Sequence, residues 1–145
     1  MKSVQTLVVL CAAFAAVPSF AGDIFKCDAK DTFRHGQVLA DLEHNHFSFQ
    51  HNGKIETIYG PGVYCGHEDQ PSPYVKCDFY STAEDSDTFI DRILDCESIR
   101  PSGNGSALTT GTFYVNPQTG DGTLFCNVHD SERFNLTLSA CKKVE

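Results

Sequence analysis

The chain has 145 residues, 11 Lys and Arg against 19 Asp and Glu, a formal net charge of −8, and no tryptophan. That length suits one domain. The acidic balance argues against a general nucleic-acid-binding protein, which carries a basic stripe. No run approaches the roughly 20 apolar residues that a membrane-crossing helix needs.

Residues 1–21 read as a secretory signal peptide. Lys2 is a short basic start, Leu7 to Val17 is an apolar stretch, and Ser19 and Ala21 stand at the small-residue positions of a cleavage site. The remainder, Gly22 to Glu145, is expected to be a single domain with ten basic and nineteen acidic residues. Cys11 leaves with the signal. Six cysteines stay: Cys27, Cys65, Cys77, Cys96, Cys126 and Cys141. An even number in a small secreted chain implies disulfides. Zinc is disfavoured, because no pair has the two-to-four-residue spacing of a zinc knuckle.

Asp23 to Cys27 is a short apolar start. Asp31 or Thr32 can cap a helix whose apolar stripe is Phe33, Val38, Leu39 and Leu42, ending near His44. His46 to His51 then alternates, Asn52-Gly53 is a strong hairpin signal, and Lys54 to Tyr59 returns as its partner. Gly60-Pro61-Gly62 breaks that strand, and 66–72 is a polar loop. Tyr74 to Tyr80 alternates, with Val75, Cys77 and Phe79 on one side. Ser81 to Asp87 is an acidic loop. Asp87 to Ser98 fits helix or strand, and its strand neighbours favour strand. Arg100 to Ser106 is a loop by composition. Gly111 to Asn116 and Thr123 to His129 read as two strands joined by the turn Pro117 to Gly122, and a last strand ends at Cys141. The sum is one early helix on an antiparallel sheet, an α+β domain.

Several pieces carry a resemblance: Phe25-Lys26-Cys27, Val38-x-Ala40, Ser72-Pro73-Tyr74, Phe113-Tyr114-Val115-Asn116, and His129 with Cys141 twelve residues on. Their order resembles the small secreted guanine-specific microbial ribonucleases. The aromatic-x-Cys start is also similar to the ribonuclease-like secreted effectors of plant-pathogenic fungi, above all powdery mildews, which mostly lack the catalytic set. The resemblance implies a Cys27–Cys141 disulfide and leaves three pairings for the other four cysteines. It also implies a site. RNA cleavage through the 2′-hydroxyl needs a base, an acid and a cation for the phosphate. The acid matches His129. The base position matches Lys76, and the phosphate arginine matches Thr112. Tyr59 remains of a tyrosine–proline–histidine run, and Asp78 is a substitute base. The implied face is Tyr59, Lys76, Thr112, Tyr114, Asn127 and His129.

The expectation is therefore a secreted, catalytically disabled ribonuclease-like effector, monomeric and without cofactor, that binds a host protein or RNA. The alternatives are an active ribonuclease using His129 and Asp78, and a structural disulfide-rich protein of the host surface. His44, His46 and His51 form a patch that reads as surface rather than metal site. Asn104 and Asn135 head N-glycosylation sequons. The acidic run Glu84, Asp85, Asp87, Asp91, Asp95 and Glu97 reads as a solvated edge, with a docking site for a basic partner as the sharper alternative.

Overall fold

The computed structural model of the chain describes residues 23–68, 75–99, 105–128 and 131–144. Every regular element among them is a strand: β1 (Ile24–Lys30), β2 (His35–Asp41), β3 (His46–His51), β4 (Lys54–Gly60), β5 (Val63–Tyr64), β6 (His67–Glu68), β7 (Val75–Tyr80), β8 (Ile90–Ile99), β9 (Gly105–Asn116), β10 (Asp121–Val128) and β11 (Ser131–Val144). They form one antiparallel sheet in the order β6-β5-β4-β3-β2-β1-β11-β10-β9-β8-β7. Two meanders, β1 to β6 and β7 to β11, are thus joined side by side through the first strand and the last.

The α+β expectation is overturned. The segment read as a helix is a hairpin turn followed by β2, which pairs with both β1 and β3. Asp31 does cap, but it caps a turn. Its Oδ1 accepts the amides of Phe33 (2.8 Å) and Arg34 (2.7 Å). Short acceptor side chains serve helix starts and turns alike. The residues behind it then alternate: Val38 and Ala40 are fully buried, while Leu39 is exposed and Phe33, at the turn, is 90% exposed. The apparent helical stripe mixed inward, outward and turn residues.

The Asn52-Gly53 turn is present, both residues having positive φ (49° and 72°), as a two-residue turn of this kind requires. The stretch 87–98 falls mostly in β8, and β9 begins at Gly105, inside the segment read as a loop. One face of the sheet is apolar. Phe25, Cys27 and Ala29 of β1, Phe47 and Phe49 of β3, Phe113 and Val115 of β9, Leu124 and Cys126 of β10, and Phe134, Leu136 and Leu138 of β11 are all buried. An extended sheet would leave that face in water, so the sheet curls until its halves meet. Phe47 lies 5.1 Å from Phe113, ring centre to ring centre, and Tyr59 5.8 Å from Phe79.

Three disulfides fix this arrangement: Cys27–Cys141, Cys65–Cys126 and Cys77–Cys96. Cys77 and Cys96 are directly opposed on neighbouring strands. Cys27 meets Cys141 through a bulge, since Lys26 faces Lys142 whereas Asp28 faces Ser139. Ala140 takes a positive φ of 50° there, which shifts Cys141 inward. The Cys141 amide, left out of the ladder, donates to Gly120 O at 2.9 Å. Cys65–Cys126 differs from the other two: it ties the β5–β6 turn to β10, across the curl.

Candidate functional site

The residues singled out above fall in different places. Tyr59 belongs to the core. It is 1% exposed, and its hydroxyl donates to Phe125 O at 3.2 Å, on the opposite half of the sheet. Burial pushes its phenol well above the ordinary value of 10. It is therefore held away from solvent and from the face it was expected to join. Thr112, Tyr114 and Asn127 do share the outer face of β9 and β10, each half-buried, with Thr110 opposite Asn127. Asp78 is exposed on β7, where it stands opposite Asp95. Lys76 lies in β7 in register with Glu97. His129 and Asn104 lie outside the described residues. Asn135 is exposed on β11, and its amide donates to Glu132 Oε2 at 3.2 Å.

The outer face is ordered in rows, because antiparallel register puts directly opposed side chains on the same side. One row runs Tyr80, Ile93, Thr112, Phe125. The row beside it runs Asp78, Asp95, Thr110, Asn127. Tyr80 is 46% exposed and donates its hydroxyl to Asp95 Oδ2 at 3.0 Å. That hydrogen bond, the first of several causes, raises the tyrosine's pKa. On the far side of the apolar row, the loop 81–89 covers the sheet, and Phe89 packs 5.3 Å from the Tyr114 ring.

Structural contacts account for half of the acidic run. Asp91 is 3% exposed and accepts the Thr82 amide (3.0 Å) and hydroxyl (2.5 Å). Arg92 donates to both oxygens of Asp85 at 2.8 Å, to Ser81 Oγ at 2.9 Å and to Asp91 O at 2.6 Å. Asp95 holds Tyr80. Glu84, Asp87 and Glu97 are exposed. The loop also walls a cleft of about 390 Å³ at this end of the sheet, floored by Phe25, Ile90 and Pro117.

The hydrogen bonds from Arg92 hold the Asp85 carboxyl below its ordinary 3.8. Burial would raise Asp31, but bonds from the Arg34 side chain and the Phe33 and Arg34 amides outweigh it, and its pKa is lowered too. A carboxyl with a depressed folded pKa stabilises above its unfolded value, and that stability is lost as pH falls through the folded one. We therefore expect the melting temperature to hold from pH 7 to about pH 5 and to drop below about pH 4. A melting temperature unchanged down to pH 2 would contradict it.

At the other end of the sheet is a cluster that sequence reasoning missed. Arg34 pairs with Asp31 through Nε (2.7 Å) and Nη2 (2.6 Å) and lies 3.8 Å from Glu56. Its guanidinium sits over the rings of Phe134 (5.0 Å) and Phe49 (5.6 Å). His51 Nε2 lies 3.2 Å from Glu56 Oε2, with its ring stacked 4.6 Å from Phe49. A carboxylate only accepts, so the neutral imidazole carries its proton on Nε2. Nδ1 is then a buried acceptor without a partner among the described residues, as is Asn127 Oδ1. The signal was available: the two-residue turn sets His51 opposite Lys54, which makes Glu56 its diagonal neighbour. Arg34 is spent on structure, tying the β1–β2 turn to β4 and β11. Arg34→Met should cost on the order of 2 kcal/mol, measured by denaturant unfolding, by removing the charged partner of Asp31 and the guanidinium that sits over Phe49 and Phe134.

Among the described residues no helix is long and apolar enough to cross a membrane, and no group of three or more His, Cys, Asp and Glu is placed to hold a metal ion. Comparisons with protein families, with curated proteins and with solved structures find no match for the chain.

Proposed function

We propose that the chain is a disulfide-stapled extracellular protein that acts by binding a macromolecular partner rather than by cleaving RNA. One observation carries this reading: the described residues expected at a reaction centre are built into the sheet. Tyr59 is spent on core packing and on Phe125 O, Asp78 stands opposite another carboxylate, and Thr112 and Tyr114 are half-buried on the outer side of β9, with Phe89 packed against the Tyr114 ring. Three disulfides are compatible with an oxidising compartment. The signal-like segment 1–21 adds secretion to the proposal.

The test is incubation of the purified oxidised protein with single-stranded RNA, beside a His129→Ala variant. The expected result is no cleavage by either protein. Cleavage by the native chain that disappears in His129→Ala would overturn the proposal and restore a ribonuclease.

A further inference from the structure

We propose that the outer face of β7 to β10 is a docking surface for a basic amphipathic helix of a partner protein. This rests on the binding reading above and names where and what it binds. The face is unusual for the wet side of an antiparallel sheet, which is normally polar. Its central row, Tyr80, Ile93, Thr112 and Phe125, contains no charge, and none of the four is buried.

The apolar row is bordered by acid along one side. Asp78 and Asp95 occupy the adjacent row, with Glu97 beyond Asp95 on the same strand, all three exposed. The backbone of β7 also sets Lys76 in register with Glu97. Such a border repels phosphate and favours lysine and arginine. The occupant is therefore a protein.

The geometry selects the shape of that occupant. Four strands at about 4.8 Å spacing make a strip about 14 Å long, which matches about ten residues of helix. The strip runs across the strands, so it suits a helix laid over the sheet rather than a strand added to an edge. The helix that fits has an apolar stripe flanked by lysines. Tyr80 serves as an anchor, since its hydroxyl is already bonded to Asp95 and its ring needs no reordering.

The test is a titration of the isotope-labelled, oxidised full chain, followed by amide chemical shifts. The probe is a synthetic 14-residue helix with leucines at i, i+3, i+4 and i+7 and lysines on both flanks. Shifts are expected at Tyr80, Ile93, Thr112 and Phe125, with binding weakened as salt rises. Ile93→Lys, whose side chain points outward, should weaken binding about tenfold while keeping the native melting temperature. Ile93→Thr should weaken it less. The same peptide with glutamates for lysines should not bind. Shifts confined to the cleft at Phe25 and Ile90 would overturn the proposal, and so would equal binding of Ile93→Lys or displacement of the peptide by oligouridylate. Those failures leave the RNA-cleavage result untouched, so the two readings fail separately.

Discussion

Gly111→Ala is expected to destabilise the domain strongly. A β-carbon at Gly111 would stand 1.7 Å from the Tyr59 hydroxyl oxygen and 2.7 Å from its Cζ. Neither partner has room to give. Tyr59 is fully enclosed, with Phe47 5.4 Å away edge-on and Phe79 beyond. The missing side chain on β9 is the slot into which β4 sends its tyrosine when the sheet curls. Overpacking in a close-packed interior costs about 1–3 kcal/mol, and this position belongs at or above the upper end. Chemical denaturation of the variant gives the number. The second arm is Tyr59→Leu in the same background, which removes the colliding atoms and should recover part of the loss. The two changes should therefore be strongly non-additive. If Gly111→Ala is as stable as the native chain, β4 and β9 do not face one another.

The second large effect concerns the disulfides. Replacing both Cys65 and Cys126 by alanine should cost more than replacing Cys77 and Cys96. The first pair spans 61 residues and the second 19. By loop-closure entropy those correspond to about 4 and about 3 kcal/mol. Location widens the gap. Strands β7 and β8 stay hydrogen-bonded to each other without their cross-link, whereas Cys65–Cys126 joins the β5–β6 turn to a strand on the opposite half. Unfolding curves of the two double variants, side by side, decide it. A smaller loss for Cys65/Cys126 would mean that packing alone closes the curl.

Local chemistry made some elements legible and left others hidden. His46 to Lys54 was readable because Asn-Gly fixes turn type and register together. The alternation in 75–80 and 121–128 was readable because one face of each strand is buried and the other wet. Residues 31–44 were misread for a physical reason. Phe33, Val38, Leu39 and Leu42 satisfy a helical period in sequence, and only pairing on both sides, to β1 and β3, places Val38 and Leu39 in a strand. The curl was not legible at all, since no local pattern says that β4 and β9 meet. Tyr59 was consequently assigned to a surface when it is the plug between two halves. Thr112, Tyr114 and Asn127 fall on one face of β9 and β10, because period two within two adjacent strands suffices. In the Arg34–Glu56–His51 cluster the His51–Glu56 pair is legible from the Asn52-Gly53 hairpin, and Arg34 is hidden because it comes from the separate β1–β2 turn.

The central position of β1 beside β11 has a consequence for the order in which the molecule can be made. The first meander can zip as it emerges, turn by turn, but one edge of β1 then waits with its amides and carbonyls unsatisfied until the last strand of the chain arrives. Cys27 waits as well, its partner lying 114 residues downstream, while Cys65 emerges long before Cys141. During synthesis the nearest available thiol is the wrong one. An open strand edge and an unpaired cysteine on the same strand make the nascent chain vulnerable to mispairing and edge-to-edge association. Completion therefore depends on the fourteen-residue strand β11, which closes the edge of β1 and brings Cys141 to Cys27.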